Sequence, residues 1–243
     1  LIRHFGVQEH FADEIQDDVS GEWLTCTPQT ASRFCAVGFY FARKIHAETG
    51  VPIGLVRAAK GSTTIELWLS QATLLNTPSL EPFAAKMRES LAQWERDKAT
   101  AADAGLRADA AGYPPFPFGE KVRRPRCVTL YNGMIAPLTP MAIRGAVWYQ
   151  GESNVGRAYQ YRTLFPAMIK DWRRAWGQGD FSFYIVQLAN FMAKKSQPVE
   201  SEWAELREAQ EIAAKTTRNS GLATAIDIGD TTDIHPKNKQ EVG

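Results

Sequence analysis

Residues 143–154 read IRGAVWYQGESN, and this stretch decides the fold class. A short apolar run at 146–149 ends in a cluster of hydrogen-bonding side chains around one glycine. In a parallel sheet helices cover both faces, so strands are continuous apolar runs and ligands bind beyond their carboxyl ends. The stretch therefore predicts a buried strand that carries Gln150, Glu152 and Asn154 to one edge of a parallel sheet.

Strand-like and helix-like segments alternate along the rest of the chain. Further apolar runs of strand length lie at residues 2–7, 53–56, 183–188 and 222–228. Apolar residues three and four apart, which are typical of amphipathic helices, recur at 32–46, 161–172 and 203–213. This alternation predicts parallel βαβ units and an α/β sandwich with right-handed crossovers.

Length and charge limit the domain organisation and the class of partner. A chain of 243 residues is long enough for a sizeable core, and we expect one domain over 1–243. With 28 basic and 27 acidic residues, nothing in the charge balance favours nucleic acid or an anionic membrane as a partner. No apolar run approaches the roughly 18 residues that span a bilayer. We therefore expect neither nucleic acid nor membrane among the partners.

The middle and the ends of the chain add three expectations. The polar, Ala- and charge-rich stretch at about 71–112 is predicted to be a helical insertion, closed by a proline-rich connector at 114–118. The first residues already resemble a strand in progress, and the last ones, from Pro236, begin a helix. We therefore expect the domain to be truncated at both ends.

Polar breaks follow the predicted core strands and suggest an ester-hydrolysis site. The breaks lie at residues 61–63, 150–154, 187–190 and 233–235. His235 is suited to be the general base, and Asp233 to orient its ring and stabilise the imidazolium. Gly61 lets a backbone N–H approach a developing oxyanion, and Gln150 or Asn154 can add a neutral side-chain donor. The four breaks are predicted to meet at one rim of the sheet.

The nucleophile is the member of the site that this sequence does not supply. Ser62 and Ser153 are the serines at strand ends, and neither lies in a GxSxG motif. The cysteines lie outside the breaks, although a Cys26–Cys35 disulfide stays open. The histidines show no metal-ligand spacing, so we expect no metal and no cofactor. The simplest account places the nucleophile after a strand upstream of Leu1.

Four ordered blocks of the sequence resemble the sialate O-acetylesterase family of the SGNH hydrolase superfamily. The blocks are VPIGL at 51–55 leading to KGSTTIELW at 60–68, LYNGMIAPL at 130–138, GAVWYQGESN at 145–154, and DIHP at 233–236. The resemblance implies a three-layer α/β/α fold with a flavodoxin-like parallel sheet whose first strand is missing from this chain. It also implies a metal-free Ser–His–Asp mechanism, with the serine in a GQSNM-like segment that belongs to an upstream segment or a second chain.

The resemblance assigns oxyanion and substrate-binding roles to the second and third blocks. Gly61 matches an oxyanion-hole glycine, and the family usually has a second glycine where Ser62 stands. Asn154 matches the asparagine that ends the third block, with Gln150 as a competing donor. Glu152 lies in the same block and is a further substrate-binding candidate.

The catalytic histidine of the family matches His235. Its acid partner commonly stands three residues earlier, which is Thr232 here, so Asp233 is our choice. Asp230 and Asp227 stay open as alternatives.

The function that the resemblance implies is removal of O-acetyl groups from sialic acids by an acyl-enzyme route, on a small-molecule or glycan substrate. A secreted, periplasmic or lysosomal location would fit the family. Trp68, Trp148 and Tyr149 are either a sugar-stacking surface or, as we favour, buried aromatics. Two other functions stay open: an esterase for acetylated xylan or another carbohydrate, and a sugar-binding chain without catalysis.

Overall fold

The strands form parallel pairs, as an α/β fold requires. The computed structural model describes residues 1–105 and 127–243. Its strands are β1 (Ile2–Gly6), β2 (Trp23–Thr25), β3 (Ile53–Arg57), β4 (Gly145–Trp148), β5 (Ser182–Val186) and β6 (Ser220–Ala223). The pairs β1–β3, β4–β5 and β5–β6 are parallel, and β2 joins β1 in antiparallel orientation. The predicted α/β class with parallel strands is confirmed.

Hydrogen bonding divides these strands between two sheets. One sheet has the order β2-β1-β3 and the other the order β4-β5-β6, so β3 and β4 are both edge strands among the described residues. In the first sheet Ile2 is opposite Ile53, and in the second Gly145 is opposite Ser182. The sequence predicted neither this division nor the short strand β2.

The helices cover both sheets. They are α1 (Ala36–Thr49), α2 (Gln71–Asn76), α3 (Glu81–Asp103), α4 (Ala158–Trp176), α5 (Glu202–Thr216) and α6 (Lys239–Val242). Helix α1 packs on the first sheet and is capped at its C-terminus by Gly50. The φ of Gly50, +70°, is the left-handed conformation that glycine often adopts just after a helix. Helices α4 and α5 pack together beside the second sheet. None of the helices in the described ranges is long and apolar enough to cross a membrane.

The main core lies between α4, α5 and the second sheet, and it extends to α2, α3 and the segments at 65–69 and 127–135. Leu164, Phe165 and Met168 of α4 are fully buried there. Trp148 packs edge-on against both Trp68 and Trp172, with ring centroids 5.9 and 5.7 Å apart. Since Trp68 is 2% and Trp148 6% exposed, these two rings belong to the core and are unavailable for stacking on a sugar.

Some element boundaries differ from the predicted ones. Strand β6 ends at Ala223 rather than near 228, because the chain turns there and the Ile228 N–H donates to the Ala225 carbonyl. The last helix starts at Lys239, capped by the Asn238 side chain, and not at Pro236. The segment predicted as an insertion contains α2 and α3, while residues 106–112 and the proline-rich connector lie outside the described residues. The three cysteines are free thiols, so the disulfide alternative is wrong.

Candidate active site

In the loop after β3, Gly61 is exposed and the nearby Thr63 is buried. Thr63 is 6% exposed, and its hydroxyl donates to the Lys60 carbonyl at 2.8 Å and accepts from Trp68 Nε1 at 3.1 Å. Gly61 and Ser62 are exposed just before it. Ser62 has a φ of +58°, a left-handed conformation that favours glycine. The backbone here therefore has a shape that suits the second glycine of the family motif.

The end of β4 is tied to this loop through Gln150. Its Nε2 donates to the Thr63 carbonyl at 2.7 Å, and its second hydrogen faces Asn154 Oδ1 at 3.4 Å. Its Oε1 accepts from the Tyr161 hydroxyl at 3.0 Å, and its carbonyl accepts from Gln210 Nε2 at 3.0 Å. Both amide hydrogens of Gln150 thus have protein acceptors, which favours Asn154 over Gln150 as a donor to a ligand.

Asn154 is buried where the two loops meet. It is 1% exposed, and its Oδ1 accepts from the Ile65 N–H at 2.9 Å. Its Nδ2 donates to the carboxylate of Glu66 at 3.2 Å, and Glu66 is fully buried and paired with Arg157. The second Nδ2 hydrogen has no acceptor among the described residues. The structure therefore brings the Gly61 loop and the Gln150–Asn154 segment into direct contact.

Gly151 and Glu152 shape the backbone between Gln150 and Asn154. Gly151 has a φ of +154°, and a Cβ there would lie 2.6 Å from Leu206 Cδ2. The carboxylate of Glu152 accepts from the Gly151 N–H at 3.0 Å. Because an ionised carboxylate only accepts hydrogen bonds, Glu152 cannot serve as an oxyanion donor in this state.

The segment around His235 is an exposed loop ordered by two aspartates. Asp230 Oδ1 accepts from the Thr232 N–H at 2.7 Å and from the Asp233 N–H at 3.2 Å. Asp233 Oδ1 accepts from the His235 N–H at 2.9 Å and lies 3.3 Å from His235 Nδ1. The hydrogen bond from the His235 N–H is the main cause that lowers the pKa of Asp233. Of Asp233, Asp230 and Asp227, Asp233 is the one that contacts the imidazole.

The His235 loop packs beside the end of β4. Tyr149, Ile228 and Val242 all pack against one small buried cluster, and the Lys239 ammonium lies 5.3 Å from the centre of the Tyr149 ring. Burial lowers the pKa of Lys239, and the carboxylates of Glu152 and Asp233 are among the groups that oppose this shift. Burial also raises the pKa of Tyr149 to about 12. The loop thus adjoins the same edge as residues 150–154.

The structure gives the His235 imidazole a carboxylate partner and no serine partner among the described residues. Within the described ranges, Asp233 is the only hydrogen-bonding or ionic partner of His235, and no serine hydroxyl reaches it. Ser62 and Ser153 are both exposed.

The sequence analysis did not identify Glu66, although a carboxylate inside the apolar run of residues 65–69 is a signal of a buried polar role. In the described part of the chain no three His, Cys, Asp or Glu side chains form a group that could hold a metal.

Known proteins are similar to this chain in sequence and in fold. The family model described as carbohydrate esterase, sialic acid-specific acetylesterase matches residues 117–242, just over half of the chain. Mouse sialate O-acetylesterase is 30% identical over 99% of this chain and 48% of its own length. The human sialate O-acetylesterase is 28% identical over 85% of this chain and 36% of its own length. The chain spans about half the length, or less, of these relatives.

A solved structure extends the comparison to the fold. A carbohydrate acetylesterase from Xanthomonas citri superposes with a TM-score of 0.75 and 35% identity, covering 99% of this chain and 46% of its own. The likeness covers nearly all of the chain, including both loops and the His235 segment. The chain belongs to the sialic acid-specific acetylesterase family of carbohydrate esterases.

Proposed function

We propose that this chain is the larger part of a single SGNH-type esterase domain that removes O-acetyl groups from sialic acids. The observation that carries the proposal is the joining of two distant loops at the Asn154 amide, and the contact between Asp233 and the His235 imidazole supports it. A buried neutral amide with one uncommitted N–H and an exposed backbone glycine are the donors that a tetrahedral oxyanion needs. The names of the relatives, sialate O-acetylesterases, support the substrate class.

In the proposed chemistry His235 is the general base. Its Nε2 removes the proton from a serine hydroxyl as the serine oxygen attacks the acetyl carbonyl carbon, and Asp233 stabilises the imidazolium through Nδ1. The Gly61 N–H and Asn154 Nδ2 donate to the oxyanion. His235 then returns the proton to the departing sugar oxygen. Water, activated by the same imidazole, attacks the acyl-enzyme and releases acetate.

The serine in this proposal comes from a segment outside the 243 residues, covalently upstream or as a second chain. Edge strands expose unpaired backbone N–H and C=O groups, and proteins usually cover such edges. A strand paired with both β3 and β4 would satisfy the two edges and join the sheets into the one parallel sheet that the family resemblance implies. Its carboxyl end would lie between the loops that begin after β3 and β4, which is where the proposed mechanism requires the serine.

The nucleophile assignment is tested with the 243-residue chain. We expect this chain alone not to hydrolyse p-nitrophenyl acetate above the buffer rate, because no serine hydroxyl of the described residues reaches His235. Activity should appear when an upstream segment that carries the serine is present, covalently or in trans. Hydrolysis by the chain alone that is abolished by Ser153→Ala would instead place the nucleophile within these residues.

The substrate class is tested with the whole protein. Acetate release from O-acetylated sialic acid and from acetylated xylan is compared at equal enzyme concentration. We expect a higher kcat/KM on the acetylated sialic acid. Faster release of acetate from xylan would instead support an esterase for acetylated xylan. Binding of the acetylated sugar without any release of acetate would favour a sugar-binding chain.

A further inference from the structure

Glu66 places a carboxylate in the interior of the protein, where a charge is least favourable. It is fully buried in the 3-10 turn Ile65–Trp68, among apolar side chains of the main core. Removing a carboxylate from water costs several kcal/mol, so such groups are kept where they are paired and hydrogen-bonded. Both oxygens of Glu66 are used: one is paired with Arg157, and the other accepts from Asn154 Nδ2 at 3.2 Å.

These contacts allow the Asn154 amide one orientation only. Its Oδ1 faces the N–H of Ile65 at 2.9 Å, and its Nδ2 faces the Glu66 carboxylate. A flipped amide would put an NH₂ group against an N–H and a carbonyl oxygen against a carboxylate, which are two repulsive contacts. With one Nδ2 hydrogen committed to Glu66, the other is held in a fixed direction.

Arg157 makes this arrangement compatible with an oxyanion. An unpaired carboxylate so close to a developing negative charge would oppose it, since charges interact strongly at low dielectric. Arg157 is paired with Glu66, and its side chain is only 18% exposed, so the ion pair presents little net charge to Asn154. The two side chains therefore orient a donor without adding a negative field.

We propose that Glu66, paired with Arg157, is a positioning residue that fixes the Asn154 amide as an oxyanion donor. The inference rests on the proposed function, because it needs Asn154 to contact the transition state. Glu66 itself does not touch the substrate. The buried carboxylate of Asp171 provides a matched control, since it accepts from Ser70 and Thr73 and pairs with Arg174, and has no hydrogen bond to Asn154 among the described residues.

The test is a double-mutant cycle in the whole protein, with kcat and KM measured separately and thermal unfolding as a fold check. Asn154→Ala should lower kcat about 100-fold, the usual loss for one oxyanion donor. Glu66→Gln should lower kcat about tenfold with KM unchanged, because a neutral acceptor holds the amide roughly half as strongly. In the Asn154→Ala background the same change should lower kcat by less than about twofold. Asp171→Asn should lower Tm but not kcat.

Each outcome decides one question. If Glu66→Gln lowers kcat by the same factor with and without Asn154, or not at all, Glu66 is structural and the inference is overturned. If Asn154→Ala keeps full kcat, the oxyanion role of Asn154 in the proposed function is wrong.

A second pair of variants, Arg157→Met and Arg157→Lys, tests the role of Arg157. The methionine variant should lose about tenfold or more in kcat, because the charge of Glu66 is then uncompensated. The lysine variant should keep most of the parent kcat. Equal activity of the two variants contradicts the role of Arg157.

Discussion

Individual residues in this site differ in how firmly they are held. Thr63 and Asn154 are buried with protein partners for their polar atoms, apart from one Asn154 hydrogen. Burial without such partners would cost free energy, so their positions are set before any ligand arrives. The His235 side chain is 81% exposed and held mainly through Asp233. The proposed donor Asn154 is therefore prearranged, whereas the orientation of the proposed base, His235, depends on one carboxylate.

The first residue-scale prediction separates the aspartates of the His235 loop. In the whole protein Asp233→Asn should lower kcat by about 100-fold or more, because the amide cannot stabilise the imidazolium. Asp230→Asn should cost less than about tenfold, since Asp230 bonds the backbone at Thr232 and Asp233 and not the imidazole. Steady-state kinetics on one acetyl ester measures both variants. A larger loss for Asp230→Asn would make Asp230 the acid partner.

The second residue-scale prediction concerns Ser62 and its left-handed backbone. Ser62→Gly should raise the free energy of unfolding by up to about 1 kcal/mol, because relief of strain outweighs the extra entropy of glycine in the unfolded chain. Ser153 is the control: it lies in the 3-10 segment Glu152–Arg157 without a positive φ. Ser153→Gly should destabilise by about 0.5–1 kcal/mol. Urea unfolding of both variants checks the prediction, and destabilisation by Ser62→Gly would contradict it.

At the scale of elements, the loops after β3 and β4 act as one unit. Gln150 and Asn154 bond across to Thr63 and Ile65, so neither loop has its shape alone. Helix α5 supports this unit, because Gln210 bonds the Gln150 carbonyl and Leu206 packs on Gly151. A change in the packing of α5 should therefore alter the position of the proposed oxyanion donors.

Gly151 gives the element-scale prediction. Gly151→Ala should destabilise the protein by about 1–3 kcal/mol, since its φ disfavours a side chain and the new methyl group would clash with Leu206. Gly156→Ala in the same segment should change stability by less than about 0.5 kcal/mol, because its Cβ would meet only Glu202 Oε1 at 3.8 Å. Denaturant unfolding compares the two variants. Equal stability of both would show that the Gly151 backbone carries no such constraint.

At the scale of the whole molecule, local patterns predicted what is periodic and contiguous. The apolar runs and helical spacings gave the α/β class, and the polar break after β4 gave Gln150 and Asn154, whereas Asp233 and His235 lie well beyond the end of β6 at Ala223. The side-chain contacts between loops were not predictable, since Glu66 and Asn154 are 88 residues apart. The division into two sheets also escaped prediction, because strand pairing depends on partners distant in the chain and not on any one run.

His235 is the proposed general base of an esterase whose oxyanion donors come from the two joined loops. The most direct measurement is the rate of acetate release from O-acetylated sialic acid by the whole protein carrying His235→Ala. We predict a loss in kcat of about 10³-fold or more, while the exposed His10, changed to Ala as a control, keeps the parent rate. A His235→Ala protein that is folded and retains the parent kcat would rule out His235 as the general base.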